Sequence, residues 1–129
     1  MKPDELEKII SEAFENKQSV SENSDKKILD AIKETIELTD RGNVRVAEKK
    51  NGKWSVNQWV KKAILLSFRV NKMTMSKGPY TTWYDKVPGK SVLWNESDWK
   101  KAGYRHVPNG VVRKGSFIAK GVVLMPCFV

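Results

Sequence analysis

The segment from Val112 to Val129, VRKGSFIAKGVVLMPCFV, divides into three blocks of six headed by Val112, Ile118 and Leu124, with Gly115 and Gly121 fourth in the first two. An aliphatic residue at every sixth position with glycine at a fixed offset is a signature of a parallel β-helix, in which each block forms one short side of a coil and its head residue fills the interior. Three blocks make one coil. A solenoid coil buries its apolar face only against the next, so about three or more repeats are needed for stability. A lone coil over residues 112–129 is therefore expected to fray. Val122, Val123, Leu124 and Phe128 would remain as exposed apolar surface, and Cys127 would be a small buried residue inside its block.

The residues ahead of the coil, 1–111, read as one helical domain with a β-hairpin. At 129 residues, 40% of them hydrophobic and 30% charged, the chain is long enough for one ordinary domain with a core. In DELEKIISEAFEN the residues Leu6, Ile9, Ile10, Ala13 and Phe14 form one amphipathic stripe. In SDKKILDAIKETIELTDRG a second stripe runs through Ile28, Leu29, Ile32 and Ile36, with Ser24 or Asp25 as cap and Gly42 as stop. The NKQSVSENS between them reads as a polar loop. VRVAEKKNGKWSV predicts a hairpin, because Asn51-Gly52 suits a two-residue turn with positive φ at both central positions. A third helix follows in NQWVKKAILLSFRVN, with Asn57 as cap and Trp59, Val60, Ala63, Ile64 and Phe68 facing inward. Residues 71–95, interrupted by Pro79 and Pro88, read as a long irregular stretch, and loops of that length are often functional. A short helix, ESDWKKAG, ends at Gly103. The fold class is α+β, with domains at 1–111 and 112–129.

The net charge of +9 is unevenly placed. Residues 1–40 carry six Lys against eleven Asp or Glu, net −5, whereas residues 41–129 carry eighteen Lys or Arg against four acids, net +14. The second part should attract anions without choosing among them. No run of about 18 apolar residues suggests a membrane span, and MKPDELEKII lacks the layout of a secretory signal, so the expected location is cytoplasmic. His106 is the single histidine and Cys127 the single cysteine, which makes a zinc site of the usual ligands implausible. Cys127 would need contact with a base to act as a nucleophile. Lys86 and Asp85 could touch a substrate or a neighbouring subunit, although a turn ahead of Pro88 explains the aspartate equally well. Trp83, Tyr84, Trp94 and Trp99 could anchor an interface or form a minor core of the domain's own.

Three blocks in order, GNVRVAEKKNGKWSVNQWVKKAILLSFRVN, YDKVPGK and GYRHVPNGVVRKGSFIAKGVVLMPCFV, are similar in sequence and spacing to the N-terminal part of the tetrahydropyridine-2,6-dicarboxylate N-succinyltransferase family, bacterial enzymes of lysine and diaminopimelate biosynthesis. The resemblance runs from Gly42 onward, and the two leading helices agree in kind. It implies that the hexads open a left-handed β-helix that continues for many coils in the family, so that this chain stops after the first. It also implies a homotrimeric acyltransferase with succinyl-CoA as co-substrate, transferring succinyl to tetrahydrodipicolinate, with no metal and no permanently bound cofactor. Because the family's sites lie between neighbouring β-helices, no catalytic residue is expected in these residues, and alone they should be inactive and monomeric.

One family position falls within the chain. The arginine of the glycine-aromatic-arginine segment matches Arg105 in GYRHVP, and the resemblance gives it the dicarboxylate substrate. The chemistry suits it, since the rigid guanidinium fork takes a carboxylate bidentately as lysine cannot. The bland alternative is that Arg105 pairs with an acid to fix the short helix. His106 beside it stands where an aliphatic is expected. Two readings from other classes compete: a basic single-stranded nucleic-acid binder, which would show steep salt dependence, and an interaction module, which would show no affinity for dicarboxylates. The chain has no KH-type Gly-x-x-Gly loop and no RNP1-type pattern.

Overall fold

A computed structural model describes all 129 residues, and three amphipathic helices make its core: α1 (Pro3–Glu15), α2 (Lys26–Asp40) and α3 (Gln58–Val70). Pro3 opens α1, where its fixed φ suits the first turn and its missing N–H would have no partner. Leu6, Ile9, Ile10 and Ala13 are buried along one stripe. Asp25 caps α2, its carboxylate accepting the Lys27 N–H at 2.7 Å. The helix closes in a Schellman motif: the Asn43 N–H reaches the Leu38 carbonyl at 2.9 Å and the Gly42 N–H the Thr39 carbonyl at 3.0 Å, with Gly42 at φ +76.

The inward face of α2 is rotated from the apolar stripe read in the sequence. Ile32 is buried and Ile28 packs against the core, but Leu29 and Ile36 are only half-buried, and Thr35 and Thr39 take the remaining inward positions. Each threonine hydroxyl donates to a backbone carbonyl, Thr35 to Ala31 at 2.7 Å and Thr39 to Ile36 at 2.8 Å, so it enters the interior with its polar atom satisfied. On α3 the buried residues are Trp59, Val60, Ala63, Leu66 and Ser67, while Phe68 is exposed, contrary to expectation. Leu6, Ile10, Ile32, Val60 and Leu66 are fully buried, each worth about 1.5–3 kcal/mol of transfer free energy. Asn57 sits at the N-cap of α3 without capping it. Its amide donates instead to the Arg45 carbonyl at 2.7 Å and the Glu48 carboxylate at 2.8 Å.

The polar loop between α1 and α2 holds a 3-10 turn at Lys17–Ser19 and buries Val20. Arg69 of α3 fastens it by donating to the Val20 and Gln18 carbonyls. The predicted hairpin forms from β1 (Ala47–Lys50) and β2 (Lys53–Val56), with Asn51 at φ +49 and Gly52 at φ +77 in the turn. Val44 and Val46, just ahead of β1, pack on the core, whereas Trp54 is 73% exposed.

The stretch 71–95 is not irregular. It contains a second antiparallel hairpin, β3 (Thr74–Lys77) and β4 (Thr82–Asp85), with Thr74 opposite Asp85 and Lys77 opposite Thr82. Pro79 falls in the turn, where the Gly78 N–H bonds the Thr81 carbonyl at 2.9 Å and no ladder bond is lost to the proline. Prolines that forbid a helix are compatible with a hairpin that places them at its tip. The short helix is α4 (Glu96–Ala102), opened by a reciprocal capping box between Asn95 and Asp98.

Residues 105–129 form a parallel rung. Strand β5 (Arg105–His106) pairs in parallel with β6 (Val123–Leu124), Arg105 opposite Val123, an offset of eighteen residues or three hexads. The Arg105 N–H bonds the Val122 carbonyl at 2.9 Å and Val107 that of Leu124 at 3.0 Å, and farther along Val111 bonds Cys127 at 2.7 Å and Arg113 bonds Val129 at 2.9 Å. Within residues 112–129 the last eight, 122–129, are thus hydrogen-bonded in parallel to residues 105–113 of the same chain. Residues 112–114 meet an antiparallel segment, with the Lys90 N–H on the Val112 carbonyl at 2.8 Å and the Lys114 N–H on the Pro88 carbonyl at 2.9 Å. Of the block heads, Val112 is buried and Ile118 and Leu124 are half-buried; Val123 and Phe128 are exposed as expected, and Val122 is half-buried. Cys127 is exposed rather than buried, as are all the residues from 125 to 129. No helix is long and apolar enough to cross a membrane.

Candidate functional site

Gly103 ends α4 with its backbone in the left-handed region, and the chain turns directly into β5. Strand alternation then decides which neighbours of Arg105 go inward. Tyr104 is buried, Arg105 exposed and His106 half-buried. Tyr104 inserts among tryptophans brought by the loop before α4 and by α4 itself: its ring lies 6.1 Å from Trp94 and 5.5 Å from Trp99, both edge-on, and the two tryptophans meet at 5.0 Å. His106 tilts against Trp99 at 5.9 Å. Trp94 and Trp99 thus belong to a minor core, whereas Trp83 and Tyr84 stand exposed on β4. The Tyr104 hydroxyl and His106 Nε2 are buried without hydrogen-bond partners. Burial pushes the Tyr104 pKa above its ordinary value, and the negative charge of Asp40 adds to the effect.

Arg105 is held by its backbone alone. Its guanidinium makes no ion pair or hydrogen bond, which removes the acid partner that would have explained it structurally. Three other cations, Arg113, Lys114 and Lys86, do have partners. Arg113 pairs with Asp85 at 2.7 Å, and Lys114 lies 3.2 Å from Glu37. Lys86 donates to the Phe68 carbonyl at 2.7 Å, closing the end of α3, and Asp85 also accepts the Lys86 N–H at 2.7 Å. That backbone hydrogen bond, with the Arg113 partner, lowers the Asp85 pKa. Within this chain Asp85 and Lys86 thus hold the end of α3 and Arg113 in place. Beneath the site, Lys90 and Asp40 form a buried pair at 2.8 Å, their side chains 6% and 11% exposed. Neither residue lies in a sequence motif, and they meet only through the fold.

Two open grooves cross this part of the molecule. One of about 290 Å³ runs between the ends of α2 and α3 and the coil, past Phe68, Arg113 and Phe128. The other, of about 530 Å³, passes Lys33, Lys72 and Lys86. Arg105 lines neither groove, and its side chain is exposed. Cys127 and His106 lie on the rung without forming a nucleophile-base pair, and no cluster of three or more His, Cys, Asp or Glu is assembled.

Residues 5–70 match the family model described as tetrahydrodipicolinate N-succinyltransferase N-terminal. The chain belongs to this family. Relatives named 2,3,4,5-tetrahydropyridine-2,6-dicarboxylate N-succinyltransferase align over nearly the whole chain. The one from Pelagibacter ubique is 59% identical over 128 residues, covering 97% of this chain and 46% of the relative. The one from Agrobacterium fabrum is 50% identical, covering 96% and 45%, and that from Parvibaculum lavamentivorans 46% identical, covering 97% and 46%. The chain thus spans just under half the length of these relatives. Family membership favours the acyltransferase reading over the nucleic-acid-binding and interaction-module alternatives, and the resemblance read from Gly42 onward agrees with it.

Proposed function

We propose that these residues are the N-terminal part of an acyltransferase that moves succinyl from succinyl-CoA to tetrahydrodipicolinate, in the biosynthesis of diaminopimelate and lysine. In the overall reaction the acceptor nitrogen takes the acyl group from the thioester, coenzyme A leaves as the thiol, and one water is consumed as the ring opens to N-succinyl-2-amino-6-oxopimelate. Residues 112–129 begin a left-handed parallel β-helix, following the helical unit of residues 1–111, whose last strand pairs with them. The working protein is a cytoplasmic homotrimer whose sites lie between neighbouring β-helices.

Arg105 is the substrate-binding residue of this part. It takes a carboxylate of the acceptor through paired N–H donors and transfers no proton, contributing by orientation. Family membership carries the reading, and the geometry supports it: an arginine on a hydrogen-bonded strand, with a buried neighbour and a vacant guanidinium on an open surface, fits half of a site that a second subunit completes. The test is coenzyme A release by the full-length protein from its complete reading frame, beside the 129-residue chain and full-length Arg105→Ala. Activity in the full-length protein alone is expected. The variant should have a KM for the dicarboxylate raised by roughly tenfold or more, the scale of one lost charge-assisted hydrogen bond. An inert full-length protein, or a variant with unchanged KM, would overturn the assignment.

A further inference from the structure

We propose that Lys90 is a positioning residue for Arg105, acting through Asp40 below it and the rings of Trp94 and Tyr104 above; the inference rests on the reading of Arg105 as the carboxylate clamp. The Lys90 ammonium is 2.8 Å from an Asp40 carboxylate oxygen and 2.9 Å from the Asp40 backbone carbonyl. The second carboxylate oxygen of Asp40 accepts the Gly115 N–H at 2.8 Å. One carboxylate at the end of α2 therefore fixes both the segment before α4 and the turn within the coil. Charges this far from water cost much to bury, and a buried pair seldom stabilises more than a well-packed apolar pair would. Short charged contacts with two acceptors do, however, define one position, where apolar contacts can slide.

The connection onward is by packing. Lys90 stands 5.9 Å from the centre of the Trp94 ring, close enough for a cation–π contact, and Trp94 abuts Tyr104 edge-on. Tyr104 immediately precedes Arg105. From the opposite side the backbone is held by Gly121 N–H on the Gly103 carbonyl at 2.8 Å and by Arg105 N–H on Val122. The strand bearing Arg105 is thus gripped between a hydrogen-bonded rung and an aromatic stack whose base is the Lys90–Asp40 pair. Bidentate capture of a carboxylate depends on the angle of the guanidinium, so a small shift of this strand weakens acceptor binding and leaves donor binding alone.

The test uses steady-state kinetics of the full-length protein carrying Lys90→Met, Arg105→Ala or both. Lys90→Met is expected to raise KM for the dicarboxylate by about three- to tenfold, the range of coupling between packed neighbours. It should leave kcat and the KM for succinyl-CoA in place, and Lys90→Arg should restore most of the loss. In the Arg105→Ala background Lys90→Met should add nothing. A fall in kcat with both KM values unchanged would mean only a smaller folded fraction and would overturn the proposal, as would a KM effect of Lys90→Met that persists without Arg105. If Lys90→Met does not fold, Trp94→Leu tests the same route above the ion pair and must give the same signature. Failure of the clamp reading shows separately, as an unchanged KM in Arg105→Ala alone.

Discussion

Gly42 and Tyr104 are two positions where one atom decides the outcome of a substitution. Gly42 closes α2 at φ +76, and a Cβ there would lie 2.7 Å from the Phe117 ring. Gly52, at φ +77 in the β1–β2 turn, has nothing within 4 Å of the same atom. Both alanine variants bear the left-handed conformation, about 1–2 kcal/mol. Gly42→Ala alone must also displace an aromatic ring, so urea denaturation should show it to be the less stable of the two. Equal losses would mean that Phe117 moves aside freely. Tyr104 adds a dependence on pH. Its folded-state pKa is raised above the unfolded value of about 10, so the stability it contributes is complete below that value and is lost as pH rises through the folded-state pKa. Thermal midpoints should decline above about pH 10, and the decline should be shallower in Tyr104→Phe. At neutral pH that variant should unfold no earlier than the parent, because the buried hydroxyl it removes has no partner to lose.

At the scale of elements, α1, α3 and the Asn51-Gly52 hairpin were legible because each rests on a local rule: a stripe at helical spacing, or a turn with two positive φ angles. The inward Thr35 and Thr39 were not, since a hydroxyl counts as polar until its acceptor in the preceding turn is known. The β3–β4 hairpin was hidden by Pro79, which reads as a break although it sits at a tip. Of the proposed site, Arg105 stands in a flanking segment that draws the eye in the sequence, whereas the Lys90–Asp40 pair joins residues fifty positions apart and leaves no local pattern. That pair gives a test of how the elements are joined. Asp40→Ala strands the Lys90 ammonium in the interior and removes the acceptor of the Gly115 N–H, which should cost about 3–5 kcal/mol in urea denaturation of the 129-residue chain. Asp40→Asn keeps an acceptor and should lose less. A loss within about 0.5 kcal/mol for Asp40→Ala, the size of an ordinary surface change, would mean that water reaches the pair.

Over the whole molecule, charge and apolar surface act in opposite directions. The chain carries a net +9, which repels like copies, while Val123, Met125, Phe128 and Val129 form an exposed apolar edge on the rung. Repulsion between surface charges is screened within about 10 Å at 0.1 M salt, whereas the gain from covering apolar surface is not weakened by ordinary salt. Self-association of the 129-residue chain should therefore increase with ionic strength, as measured by sedimentation velocity, and Phe128→Glu should suppress it. A competing cause predicts the reverse. If the acidic residues of 1–40 drew the basic remainder of a second copy, screening would dissolve the complex and Phe128→Glu would change little. Association that weakens with salt would thus assign the contact to the charge asymmetry, and association that strengthens would assign it to the rung.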